Sequence, residues 1–209
     1  MTKSASPSLQ IQLFDSLVKK RLKTTMAYFV GACCTTGFMI NAFKNSRMVF
    51  MNPWIMGIAT IGFGIATYAI NYERNFLLKN IVYGGFIGCI SLSLTPILYI
   101  YSIPIIFDAL LATTALMGAL GAVAWYSPNE KFLKYGGALA IGLGGMMGTS
   151  LLMMFFPGSP ALRSIWLYGG LALFGGFVLY DTQKILLNAK TQVDFDPINN
   201  SIEVYMDAV

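Results

Sequence analysis

Six apolar runs, each about as long as a bilayer is thick, constrain this sequence more than any other feature. They lie near residues 24–43, 52–70, 81–98, 104–126, 135–156 and 165–187. At about 1.5 Å per helical residue, runs of this length match a hydrocarbon core of about 30 Å. Lipid offers the backbone no hydrogen-bonding partner, so a spanning segment must satisfy its own amides, as a helix does. The expected fold is all-α, a polytopic transmembrane helical bundle of six spans. A polar, basic N-terminal segment (1–23) precedes the bundle (24–187), and a polar C-terminal segment (188–209) follows it. Charge content agrees: 11% of the 209 residues are charged, against about 25% in an ordinary soluble domain.

The gaps between runs carry turn and start signals. Pro53 stands where a second helix would begin, Pro104 closes a short turn at Tyr99–Ser102, and Ser127-Pro128-Asn129-Glu130 opens another connection. Pro157-Gly158-Ser159-Pro160 is a strong break. Basic residues set the orientation. With six crossings, Lys3, Lys19, Lys20, Arg21, Lys23, Arg74, Lys79, Lys131, Lys134, Lys184 and Lys190 fall on the side of the N-terminus. Only Lys44, Arg47 and Arg163 fall on the other. Small residues four apart, Gly84 with Gly88, Gly118 with Ala122 and Gly144 with Gly148, predict faces where helices approach closely.

Several function classes are excluded. The net charge of +5 is spread over short gaps rather than gathered in one patch, so nucleic acid is not expected as a partner. The absence of histidine removes Ser/His/Asp and Cys/His catalysis. Cys33, Cys34 and Cys89 have no CxxC spacing, so they read as buried small hydrophobes rather than metal ligands or a disulfide framework. The glycine-rich stretch Gly142–Gly148 follows no strand and carries no GK[ST], so it is not a phosphate loop. No enzyme and no cofactor are expected.

Two carboxylates interrupt the apolar runs, and an ionisable group at membrane depth is a functional candidate. Asp108 lies about 6 Å inside the fourth run and Asp181 about 9 Å inside the sixth, at 1.5 Å per residue. Asp108 is shallow enough to reach headgroups. Lys184 shares a helical face with Asp181 and is its candidate ion-pair partner. The two carboxylates fall in opposite halves of the bilayer, so they are not expected to form one site.

The blocks Tyr168-Gly169-Gly170-Leu171-Ala172-Leu173-Phe174 and Leu179-Tyr180-Asp181-Thr182-Gln183-Lys184 resemble the signature of the Bax inhibitor-1 (transmembrane Bax-inhibitor motif) family. Ser127 to Leu133, Asp196-Pro197-Ile198-Asn199 and Tyr205-Met206-Asp207 are similar to further family segments, most of all those of its mitochondrial inner-membrane branch. The resemblance implies a seven-helix bundle that passes calcium under the control of pH, with apoptosis regulation and mitochondrial organisation downstream. Its central device would be two aspartates sharing a proton, matched here by Asp181 and Asp207. Calcium ions, protons, the lipid bilayer and other membrane proteins or family members are the implied partners, with calcium only transiently at Asp181. Against the family pattern, the sequence ends at Val209 and a seventh span is expected to be missing. Residues 199–209 are then expected to be loosely held, which would weaken the aspartate pair. Tyr68 stands where relatives often carry an arginine, and the nearest basic residue is Arg74. An alternative reading is a non-transporting scaffold or truncated paralog acting through helix–helix contacts. Tyr180-Asp181 also fits one half of an intramembrane aspartyl protease, but the GxGD half is absent.

Overall fold

A computed structural model of the chain describes residues 7–127 and 130–209. Among the described residues every regular element is helical: α1 (Pro7–Phe43), α2 (Pro53–Ala69), α3 (Phe76–Leu94), α4 (Ile97–Ile100), α5 (Ile103–Tyr126), α6 (Gly136–Phe155), α7 (Pro160–Thr191) and α8 (Pro197–Ala208). Short 3-10 helices, Arg47–Phe50 and Lys131–Tyr135, fill two connections. Lys3, Pro128 and Asn129 lie outside the described residues.

The turn chemistry works as the sequence implies. Asn52 caps α2 by accepting from the Trp54 amide at 3.0 Å, with Pro53 in the first turn, where its missing N–H costs nothing. Ser46 does the same for the Arg47–Phe50 turn, accepting from Met48 N. Before α7 the backbone turns through Gly158 at φ 102, a conformation that a side chain would strain. Pro160 then opens the helix.

Five segments are long and apolar enough to cross a bilayer: Gln12–Phe43, Phe76–Ile100, Pro104–Tyr126, Lys131–Phe155 and Pro160–Thr191. The sixth expected span is α2, with 17 residues, which sits at the short end of spanning lengths. The first helix also begins much earlier than expected. Pro7–Phe43 is one helix of 37 residues, so the basic cluster Lys19–Lys23 is helical rather than a separate tail. At about 1.5 Å per residue α1 is about 55 Å long, well beyond the hydrocarbon core.

The surface is apolar to a degree that suits lipid. Ile141 is 79% exposed and Phe155 77%, values that a water-facing surface rarely tolerates in such density. Hydroxyls are hidden within their own helices. Thr36, Thr67, Ser91, Thr95 and Thr182 each donate to the carbonyl four residues earlier, at 2.7–2.9 Å. This is the local bond that lets serine and threonine enter an apolar helix.

The chain divides into two compact units. The first comprises residues up to Leu110 together with Gln192–Ala208, the second Leu111–Thr191. In the first, α3 packs on α1 and α2, and α8 packs on α1. Its core joins Ala32 of α1, Tyr83, Phe86, Ile87 and Ile90 of α3, and Ile198, Ile202 and Tyr205 of α8. The expectation of a loosely held 199–209 is therefore overturned. These residues form most of a 12-residue helix whose Ile198, Ser201, Ile202, Val204 and Tyr205 are buried. In the second unit, α6 packs on α7, and the Lys131–Tyr135 turn touches both.

Close helix approach occurs at other glycines than expected. A methyl on Gly84, Gly118, Gly144 or Gly148 would meet nothing within 4 Å, and on Gly88 only an ordinary contact with Met39. The tight positions are Gly85, against the Phe63 ring, Gly136, against the Tyr180 ring, and Gly142 and Gly176, where a methyl would come within 2.5 Å of Leu173 and Leu139. A spacing of four identifies a helical face, but the rotation of the whole helix decides which face meets a neighbour. The cysteines need a similar correction. Cys33 and Cys89 are half-buried beside the core clusters, whereas Cys34 is exposed.

Candidate functional site

In the second unit the polar side chains gather on α7. Asp181 is 6% exposed and Gln183 is buried two residues on. Gln183 works as a clip: its Oε1 accepts from the Phe132 amide at 2.7 Å, and its Nε2 donates to the Ala124 carbonyl at 3.4 Å. The end of α5 and the turn before α6 are thus held to α7, which leaves Asp181 on a braced helix. Lys184, the candidate partner of Asp181, carries its ammonium over the Tyr180 ring, 5.9 Å from the centroid. This distance is within cation–π range. A cavity of about 450 Å³ lies nearby, lined by Lys131, Phe132, Tyr135, Ala138, Leu139, Gly176 and Leu179. Its walls are mostly apolar, with Lys131 and Tyr135 as the polar side chains, and no carboxylate lines it to hold a cation.

Asp207 belongs to the first unit, in the last turn of α8, and is half-buried. Asp108 is exposed near the start of α5. Asp181 and Asp207 are thus placed in separate units, each by its own packing. Tyr68, at the position where an arginine was looked for, donates its hydroxyl to the Asn199 carbonyl at 3.4 Å. Among the described residues no three histidine, cysteine or acidic side chains cluster as a metal site.

The most developed polar network of the first unit was missed in the sequence. Lys79, assigned to a polar gap, has a side chain that is 0% exposed. Its ammonium donates to the Ile70 carbonyl at 2.8 Å, to Asp196 Oδ2 at 2.5 Å and to Asn199 Oδ1 at 2.8 Å. Asp196 also caps α8, its Oδ1 accepting from the Ile198 and Asn199 amides at 3.0 and 3.1 Å. The readable signal was Asp196-Pro197, a capping residue followed by proline at the first helical position. It announces a helix but does not say which cation meets the second carboxylate oxygen.

Further contacts secure α8 and the segment before it. Arg21 donates to the Gln192 and Val193 carbonyls at 2.6 and 3.0 Å and lies over the Phe195 ring. Thr36 meets Tyr205 at 2.6 Å and Tyr83 meets Ser201 at 3.3 Å. Beside them the Tyr72 hydroxyl contacts that of Tyr28 at 3.4 Å. Burial first, and then that contact, push the Tyr72 phenol above its ordinary value.

Comparison with known proteins agrees with the signature blocks. The family described as inhibitor of apoptosis-promoting Bax1 matches residues 18–209. The chain is 33% identical over 217 aligned residues to growth hormone-inducible transmembrane protein of Rattus norvegicus, covering 94% of this chain and 62% of that protein. It is 26% identical to Bax inhibitor 1 of Schizosaccharomyces pombe, over 78% of this chain and 60% of the relative. To the inner membrane protein YbhL of Escherichia coli K12 it is 28% identical, over 89% of this chain and 84% of the relative. The chain thus spans about three fifths of the length of the first two relatives. No solved structure matches it.

Proposed function

This chain belongs to the Bax inhibitor-1 family of multi-pass membrane proteins, and on that premise we propose that it is a proton-sensitive calcium leak channel or calcium/proton exchanger. The observation that carries the reading is Asp181, a carboxylate buried at the end of the apolar stretch of α7. A carboxylate at membrane depth is retained at a cost of a few kcal/mol, which a purely structural position would not require. Its chemistry suits both ions: hard oxygen ligands bind calcium, and protonation removes the negative charge that attracts it. Asp207 is the second acidic group in this reading. Protonation removes the charge of either carboxylate, so the occupancy of each by a cation follows pH.

Six membrane crossings, with α2 as the short one, complete the proposed topology. The bias of basic residues towards one side supports it. The mitochondrial inner membrane is the proposed compartment, as the resemblance of the segments Ser127–Leu133, Asp196–Asn199 and Tyr205–Asp207 implies, with the endoplasmic reticulum or another endomembrane as the alternative, and apoptosis regulation is the proposed role. The work is non-enzymatic in this reading.

The test is calcium uptake into proteoliposomes holding this chain alone, at about pH 6 and about pH 8. Wild type is expected to pass calcium in a pH-dependent way, and Asp181→Asn to lose at least about nine tenths of that flux. Flux that Asp181→Asn leaves unchanged would defeat the proposal. A folded chain with no flux at either pH would favour the scaffold reading instead.

A further inference from the structure

We propose that Lys79 is a positioning residue, a tethered cation that fixes the register of α8 and so the place of Asp207. The proposal rests on the functional reading of Asp207 but on separate observations.

The apolar contacts of α8 define its register only in part. Ile198 and Ile202 of the buried row stand four apart, so that part of the row repeats itself one helical turn on, and only Tyr205, with Ser201 one turn before it, breaks the repeat. Sliding α8 by one turn would put Ile202 where Ile198 was and Met206 where Ile202 was. It would also displace Asp207 by about 5.4 Å, more than the reach of a hydrogen bond. The polar contacts at the start of α8 do not repeat in the same order. The residues four beyond Asp196 and Asn199 are Asn200 and Glu203, an amide and a carboxylate with their places exchanged, so a shift of one turn would lose the short carboxylate that both caps α8 and meets Lys79.

Lys79 joins three elements at one point. Its three oxygen partners are the Ile70 carbonyl at the end of α2, and Asp196 and Asn199 at the start of α8, while its own backbone lies in the first turn of α3. Each ammonium proton has one acceptor, so the site is saturated in the observed register. A buried ion pair contributes little stability over apolar residues of the same volume, and its best-attested use is to select one register among several. Asp196 divides the work between its oxygens. Oδ1 holds the helix cap and Oδ2 holds Lys79, which lets an experiment separate capping from latching.

Asp196→Asn keeps the capping oxygen but turns an amide N–H₂ towards the ammonium, and Lys79→Met removes the cation. Hydrogen exchange is followed across Ile198–Asp207 in the full chain in lipid, with Tyr83–Ile90 of α3 as control, and calcium flux is measured on the same preparations. Each single variant is expected to speed exchange over α8 by about tenfold or more while α3 keeps its protection. The double variant leaves no buried charge and is expected to be no worse than the poorer single. Lys79→Arg, which keeps a cation with several donors, is expected to stay within about threefold of wild type. Wild-type exchange in both singles, loosening that spreads equally into α3, or additive singles would each overturn the proposal. If the singles do not fold, a folded double supports it and an unfolded double overturns it. Release of α8 with an unchanged pH profile of flux also overturns the positioning role. Absence of flux in wild type defeats the transport reading instead, while the exchange result still judges the latch.

Discussion

The bond between Thr36 and Tyr205 predicts an asymmetric double-mutant cycle. Thr36 donates its single hydroxyl proton to the Ala32 carbonyl at 2.9 Å. The 2.6 Å contact with Tyr205 must therefore run from the tyrosine hydroxyl to Thr36 Oγ1. Tyr205→Phe deletes this donor and leaves Thr36 bonded to its own helix, so the loss is one net hydrogen bond, about 0.5–1 kcal/mol. Thr36→Val keeps the side-chain shape but strands the hydroxyl of Tyr205, a residue 0% exposed. A stranded buried donor costs about 1–3 kcal/mol. The double variant has no donor left to strand, so it should resemble Tyr205→Phe, and the coupling should come to about 1 kcal/mol or more. Thermal unfolding in a mild detergent would read this as a fall of about 2–4 °C per kcal/mol. Hydrogen exchange over α8 would localise it. A larger loss in Tyr205→Phe than in Thr36→Val, or singles that simply add, would refute the donor assignment and with it the enclosed setting of Tyr205.

Other consequences are as direct. Gly85→Ala puts a methyl 2.6 Å from the Phe63 ring and should destabilise by about 1–3 kcal/mol; because Phe63 is 38% exposed its ring can swing aside, so the lower end is expected, and Phe63→Leu should restore the melting temperature. In a background with Cys33, Cys34 and Cys89 replaced, single cysteines at Asn45 and Gln192 should react with a membrane-impermeant reagent from opposite sides; labelling from the same side would end the six-crossing topology. The raised Tyr72 phenol makes a contribution to stability that is fully present below the ordinary tyrosine value of 10.0 and is lost as pH rises towards the folded value. The difference in melting temperature between wild type and Tyr72→Phe should therefore be constant from about pH 6 to about pH 9 and change only above about pH 10. A change already at neutral pH would contradict the burial of that hydroxyl.

Much of the architecture is legible in the sequence, because lipid imposes a one-dimensional rule. A run of about twenty apolar residues must be a helix to satisfy its backbone, and prolines, asparagine and glycine then mark where it starts and stops. That reasoning reached the all-helical class, the helix start at Pro53, the break at Pro157–Pro160, and Asp181 as a carboxylate within an apolar run. It went wrong at the ends of helices, where periodicity outlasts hydropathy: α1 runs back to Pro7 through the basic cluster because one of its faces continues to pack, with Val18 and Leu22 buried. It also misjudged 199–209, whose mixed composition reads as a tail.

What only the tertiary structure decided is the set of partners. Nothing local to Lys79 says that its ammonium is enclosed by Ile70, Asp196 and Asn199, up to 120 residues away. Nothing in the glycine spacings says that Gly85, rather than Gly84, faces Phe63. Hydropathy is a property of a segment and can be summed along the chain. The rotation of a helix about its axis, and the register of one helix on another, are minima of many small contacts made across the fold.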